Sequence, residues 1–202
     1  MPRTRHELEA ELVAYYDQEV TALRDREVEP RRTQARSCFV EILEREGRDA
    51  LLEVGAGPGR DGVAFQAAGL AYVGVDLASA SVAACTAIGL DVRVGTVHDL
   101  PWPDRTFDAV WTMSTLLQVP DLDLGSALGE VTRVARPGAP IAIGLWGAPE
   151  SREQYFGDRF FSLRSDDDLC ARLADHGTVE QLITWPGEGD LHYQWVVLRR
   201  TG

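Results

Sequence analysis

The residues best suited to chemistry fall in one short run, Glu53-Val54-Gly55-Ala56-Gly57-Pro58-Gly59-Arg60. Gly55 and Gly57 permit a tight turn and let a ligand approach the backbone closely, and Gly59 permits close packing where a helix begins. The run follows an apolar stretch, Ala50-Leu51-Leu52-Glu53-Val54, that reads as a buried strand. A glycine-rich loop leaving a strand lies at the carboxyl end of a sheet, where open α/β folds bind ligands. A dinucleotide fingerprint needs its third glycine at position 60, which is Arg60 here. The Glu53 carboxylate suits a ligand with an ammonium group and opposes a pyrophosphate.

A second carboxylate closes the next apolar run, Ala71-Tyr72-Val73-Gly74-Val75-Asp76. Asp76 can accept hydrogen bonds from both hydroxyls of a ribose, and capping the following helix is its alternative use. His98, His192, Asp99 and Tyr15 or Tyr16 are the candidate proton carriers, though ordinary packing or solvation accounts for each of them equally well. His6, His98, His176 and His192 are scattered and give no metal-ligand spacing. From position 146 to 164 the chain gathers Trp146, Tyr155, Phe156, Arg159, Phe160, Phe161 and Arg164. Aromatic walls and a cation would suit a substrate with a ring and a carboxylate or phosphate. A connector packing its aromatics into the core is the alternative.

Elements must hold these groups in place. Residues 4–26 show helical spacing, with Thr4 and Glu7 forming a capping pair, and a second helix spans about 31–46 between Pro30 and Gly47. Strands at 50–54, 71–75, 91–94, 107–112 and 140–146 alternate with helices at 61–68, 79–88 (Ser79 as N-cap) and 124–134. That alternation predicts a parallel sheet covered on both faces. Ser165 and the acidic run after it start a last helix ending at Gly177, and residues 178–185 and 191–199 form a hairpin. The fold class is therefore α/β, a single Rossmann-like domain whose sheet ends in an antiparallel strand.

Composition narrows the function classes. A chain of 202 residues with 45% apolar and 26% charged residues is one ordinary globular domain. A net charge of -12 argues against nucleic acid as a partner, and Arg31, Arg32 and Arg36 are too small a patch to reverse it. Cys38, Cys85 and Cys170 form no framework and suit a reducing compartment. There is no apolar leader segment and no membrane-length apolar run, so a soluble, cytoplasmic protein is expected. Oligomeric state has no signature in the sequence.

From Leu51 to Trp146 the chain resembles the class I S-adenosylmethionine-dependent methyltransferases. Four blocks match in order: Leu51 to Gly59, Val73-Gly74-Val75-Asp76, Asp99 to Asp108 (DLPWPDRTFD), and Glu130 to Gly138 (EVTRVARPG). The resemblance implies a seven-stranded, mostly parallel sheet with N-terminal helices, S-adenosyl-L-methionine as cofactor, and methyl transfer to O, N or C of a small molecule. Residues 1–48 would be a helical cap of the same domain. Residues 49–202 would bind the cofactor, with an acceptor-side insert at about 147–164.

The resemblance also implies roles. Gly55, Ala56, Gly57 and Gly59 would cradle the methionine portion, and Glu53 would hold its amino group. Asp76 would take the ribose, Leu77 would pack on adenine, and Thr96 and Val97 would line its edge. Met113 and Ser114 would flank the sulfonium, while Trp146, Tyr155, Arg159 and Arg164 would face the acceptor. His98, His192 and Tyr16 are the candidate bases. Two positions depart from the pattern: many relatives have Asp in place of Thr96 and His in place of Gln118. A non-catalytic cofactor-binding protein is the alternative. A nucleotide-linked oxidoreductase is disfavoured by Glu53 and the position of Gly59.

Overall fold

The structure, a computed structural model, describes residues 3–202; Met1 and Pro2 lie outside the described residues. Helices α1 (Arg5–Asp25) and α2 (Pro30–Glu46) come first. Thr4 caps α1 as its spacing from Glu7 predicts: the hydroxyl accepts from the Glu7 N–H, and the Glu7 carboxylate accepts from the Thr4 N–H at 2.8 Å. Pro30 opens α2, and Gly47 closes it in the left-handed region.

The chain then alternates: β1 (Ala50–Val54), α3 (Arg60–Ala67), β2 (Ala71–Asp76), α4 (Ser79–Ala87), β3 (Val92–Val94) and β4 (Ala109–Met113). A short 3₁₀ turn (Leu116–Gln118) leads to α5 (Asp121–Val134) and β5 (Pro140–Gly147). After these come β6 (Arg152–Phe156), β7 (Arg159–Leu163), α6 (Asp166–Leu173), β8 (Gly177–Pro186) and β9 (His192–Arg200). Seven strands form one sheet in the order β3-β2-β1-β4-β5-β9-β8. The first five pair in parallel, and β9 runs antiparallel to both β5 and β8. The fold class read from the sequence is the one observed.

Alternation along the strands divides the core. Leu52, Val54, Val110 and Ile141 pack against Leu124, Leu128 and Val131 of α5 and Leu169 of α6. Leu51, Trp111 and Ala142 face the other way, onto Phe39 and Leu43 of α2, Phe65 of α3 and Cys85 of α4. Helix α1 differs from the rest: Leu8 is its one fully buried side chain among the described residues.

Some boundaries differ from the sequence expectation. β4 starts at Ala109, because Phe107 makes only an isolated bridge to Ala135. α5 begins at Asp121, one turn early, since the chain turns helical directly after Pro120. α6 ends at Leu173, and Gly177 instead starts β8. Ser79 is not the cap of α4: Ala78 holds that position, and Asp17 of α1 accepts from the Ala80 N–H at 2.8 Å. A carboxylate from a distant helix thus serves a first-turn donor that the local sequence leaves open. Residues 152–163 are a hairpin turning on Gly157 (φ +60) and Asp158, where the sequence reading saw only an aromatic connector.

Among the described residues no helix is long and apolar enough to cross a membrane.

Candidate functional site

A narrow cavity of about 70 Å³ opens where β1, β2 and β3 end. Gly55, Asp76, Leu77, Thr96, Val97 and His98 line one side of it. Arg5, Leu8, Glu9 and Leu12 of α1 line another, and Thr115, Gln118, Val119 and Pro120 complete it. The sequence points to the sheet side of this wall residue by residue; for the other side it gives only a helical cap, without Arg5, Leu8, Glu9 or Leu12.

The glycine loop is built for close approach. Gly55 has φ +80, and a Cβ there would lie 1.9 Å from the Thr115 hydroxyl oxygen, so both backbone and space exclude a side chain. The Gly55 and Ala56 N–H groups both donate to the Val75 carbonyl, at 2.8 and 3.1 Å. Gly59 meets Leu90 and Cys85.

Asp76 serves as loop anchor and helix cap together. Its Oδ2 accepts from the Gly57 N–H at 2.7 Å and its Oδ1 from the Ala78 N–H at 2.9 Å. Each oxygen keeps a further lone pair for a hydroxyl in the cavity. Burial pushes the carboxyl up, and the two backbone donors oppose that shift.

Glu53 lies behind the loop, 3% exposed, and accepts from the Tyr72 hydroxyl at 2.6 Å. Burial holds its carboxyl well above the usual range; Asp61 adds repulsion, and the Tyr72 hydrogen bond opposes the shift. Asp61 is held by Arg36 at 2.5 Å and by the Trp111 indole N–H at 3.1 Å. Tyr72, Asp61 and Arg36 carry no motif, which is why the sequence did not reveal them. Two adjacent carboxyls, one disfavoured as an anion, are an arrangement that a ligand cation relieves.

Because the folded value of Glu53 is raised, its contribution to stability is present below the unfolded pKa and lost as pH rises through the folded one. Glu53→Gln is therefore expected to melt above the wild type at pH 7, by roughly 2–4 °C for each kcal/mol recovered. The gain should vanish near pH 4. Thermal unfolding at the two pH values checks both.

Met113 and Ser114 sit at the carboxyl end of β4. Ser114 has φ +58, rare for a residue with a side chain, and its N–H donates to the Gly144 carbonyl at 2.7 Å. Its hydroxyl lies 3.4 Å from the Tyr193 hydroxyl, which also approaches the Met113 sulfur at 3.6 Å. Gln118 is 7% exposed on the cavity wall, and its Oε1 has no hydrogen-bond partner among the described residues.

The candidate bases and acceptor residues do not converge on this cavity. His98 lines it, but its ring nitrogen meets Ser126 at 3.2 Å, and burial together with Arg5 holds its pKa down. His192 instead contacts Asp166 at 2.8 Å. Tyr16 is half-buried; burial raises its pKa and an Arg159 charge and hydrogen bond oppose the rise. The Arg159 guanidinium lies 4.7 Å over the Tyr15 ring, and Trp146 packs edge-on to Tyr193. Tyr155 is exposed beside Phe160.

Arg164 needs a correction as an acceptor residue. It is 0% exposed and donates to Asp121 and to the carbonyls of Leu116, Val119 and Ser162. With its donors spent on the connection between β4 and α5, it is a clamp and faces no substrate.

Comparison with known proteins agrees with this arrangement. Residues 52–143 match a family described as "Methyltransferase domain". A fatty-acid O-methyltransferase of Mycolicibacterium smegmatis is 39% identical over 71 residues, spanning 33% of this chain and 25% of that protein, so the match covers about a quarter of the curated relative. A Burkholderia thailandensis 1,6-didemethyltoxoflavin-N1-methyltransferase, solved with 1,6-didemethyltoxoflavin and S-adenosylhomocysteine, superposes with a TM-score of 0.78 at 22% identity over 100% of this chain and 92% of that one. The [4+2]-cyclase SpnF superposes at 0.66, with 18% identity over 81% and 80% of the two chains. These last two likenesses are of fold. Residues 52–143 of the chain thus match a methyltransferase-domain family, and its sheet order and overall likeness are those of the class I, Rossmann-like methyltransferase fold.

Proposed function

We propose that the chain binds S-adenosyl-L-methionine in this cavity and transfers its methyl group to O, N or C of a small-molecule acceptor by in-line displacement. The observation that carries this reading is the placement of three carboxyls around one glycine loop: Glu53 beside Asp61 behind it, and Asp76 at its edge. The first two fit an amino-acid ammonium and Asp76 fits a ribose. Leu77 and Val97 offer apolar faces for a purine.

When bound, the cofactor supplies an electrophilic methyl carbon on a positive sulfur, and loss of that methyl leaves S-adenosylhomocysteine. The chain's part is chiefly positional, since orienting the reactants supplies several kcal/mol of barrier reduction. Gly55 and Gly57 give close backbone approach, Asp76 fixes the ribose, and α1 shields the cavity from water. Gln118 has a free acceptor for a donor on either reactant. The helix α1 works as the cap, whereas α2 is part of the sheet's own core.

For the acceptor, a broad cleft runs between α1 and the hairpin β6–β7, where Tyr15, Tyr155 and Phe160 stand among four carboxylates (Glu11, Asp123, Glu153 and Asp158) and one guanidinium (Arg3). Such walls suit a neutral or cationic ring compound better than the anionic one suggested by the arginines. Nucleic acid is disfavoured here by the net charge of -12.

Calorimetric titration with S-adenosylmethionine tests the reading, with micromolar binding expected. S-adenosylhomocysteine should raise the melting temperature and NAD should not. No heat and no thermal shift with either sulfur ligand would overturn it. Binding without turnover across a panel of ring acceptors would favour a regulatory protein.

A further inference from the structure

We propose that Glu9 of α1 is a specificity residue of the cofactor site, accepting a hydrogen bond from the 6-amino group of adenine beside Thr96. The inference rests on the reading that the cavity holds S-adenosylmethionine.

Thr96 and Glu9 both line the cavity, next to Val97 and across from Leu77. The Thr96 hydroxyl donates to Glu9 Oε1 at 2.5 Å and accepts from the His98 N–H at 3.3 Å. Its single proton is used, and one lone pair is left. Glu9 is in the opposite state. Among the described residues its other carboxylate oxygen has no hydrogen bond or ion pair, and Thr96 is its one partner. An exocyclic amine brings two donors and no acceptor, so a carboxylate is its complement. A 6-oxo purine brings an acceptor in the same place and meets repulsion. Of the two carboxylates lining the cavity, Asp76 keeps its remaining lone pairs for the ribose hydroxyls, which leaves Glu9 to read the base.

The contact joins positions 87 residues apart and comes from a helix with little apolar burial. The group that reads the base thus comes from α1, the helix that covers the cavity. Asp17 holds α1 to α4 independently of Glu9, through the Ala80 N–H. Removing the Glu9 carboxylate therefore leaves the helix docked, and alanine keeps its helical propensity.

The test measures dissociation constants of S-adenosylhomocysteine and S-inosylhomocysteine, its 6-oxo analogue, by calorimetry. The wild type should prefer the adenosyl ligand by about tenfold or more. In Glu9→Ala the adenosyl affinity should fall by about that factor and the preference should approach unity. Thr96→Asp in the Glu9→Ala background should return the preference, since it restores a carboxylate at the same edge. An unchanged adenosyl-to-inosyl ratio in Glu9→Ala overturns the proposal, even if both affinities fall, because a mere latch would weaken the two ligands alike. A wild type that binds neither ligand overturns the cofactor reading itself, a result distinguishable from the first.

Discussion

Asp76→Ala is expected to weaken S-adenosylmethionine binding by about a hundredfold, ~2.7 kcal/mol. Two losses combine. The ribose hydroxyls lose a charged acceptor, and hydrogen bonds to charged groups are the stronger kind. The loop also loses its tie, because the Gly57 N–H and the Ala78 N–H both end on this carboxylate. A glycine loop freed from α4 must be ordered again on binding, which costs backbone entropy. Asp76→Asn separates the parts. It keeps the volume but presents an amide –NH₂ to one of the two backbone donors, so it should recover only part of the affinity. Calorimetry on the three proteins measures this. An alanine variant that binds within twofold of wild type would mean that the ribose is not held at Asp76.

Most of the fold was legible because it rests on local and periodic signals. The Thr4–Glu7 pair, Pro30, Gly47 and the buried strand runs each act within a few residues of themselves. The hairpin β6–β7 was not read, although Gly157-Asp158 is a fitting two-residue turn. Its strands carry aromatics at consecutive positions, Tyr155-Phe156 and Phe160-Phe161, so the period-2 signal of a strand is blurred. Those rings pair across the hairpin, Tyr155 with Phe160 at 5.7 Å and Phe156 with Phe161 at 5.1 Å.

The candidate site divides along the same line. Gly55 and Asp76 were found from residue type and spacing and Leu77, Thr96 and Val97 from the family resemblance; all lie at or just after strand ends, and they meet at one cavity. Glu9 on Thr96 and Asp17 on the start of α4 span 87 and 63 residues. Contacts of that kind leave no trace in hydrophobic period or turn chemistry. Ser79 was chosen as a cap by type, but a carboxylate from α1 serves that turn instead.

Arg164 is where composition misled most, and Arg164→Met is expected to destabilise the fold by about 3–5 kcal/mol. At roughly 2–4 °C per kcal/mol that lowers the melting temperature by about 6–20 °C. Arginine is seldom fully buried, so its place beside aromatics read as a pocket cation. In the structure its Nε pairs with Asp121 at 2.9 Å and its Nη2 donates to Val119 O at 2.9 Å. Removing it strands the carbonyls of Leu116 and Val119 and leaves Asp121 with Arg172 and Ser162 alone. The clamped segment, from Leu116 to Val119, includes Gln118 and follows Thr115, both on the cavity wall, so the same change should loosen that wall. Lysine is no substitute, because one ammonium cannot reach partners on several sides of a planar fork. Arg159→Met gives the contrast: its guanidinium stacks on Tyr15 and Phe161 near the surface, and its loss should shift melting by only a degree or two. Thermal melts of the two variants decide the matter. Native stability in Arg164→Met together with weakened acceptor binding would return the residue to the substrate side.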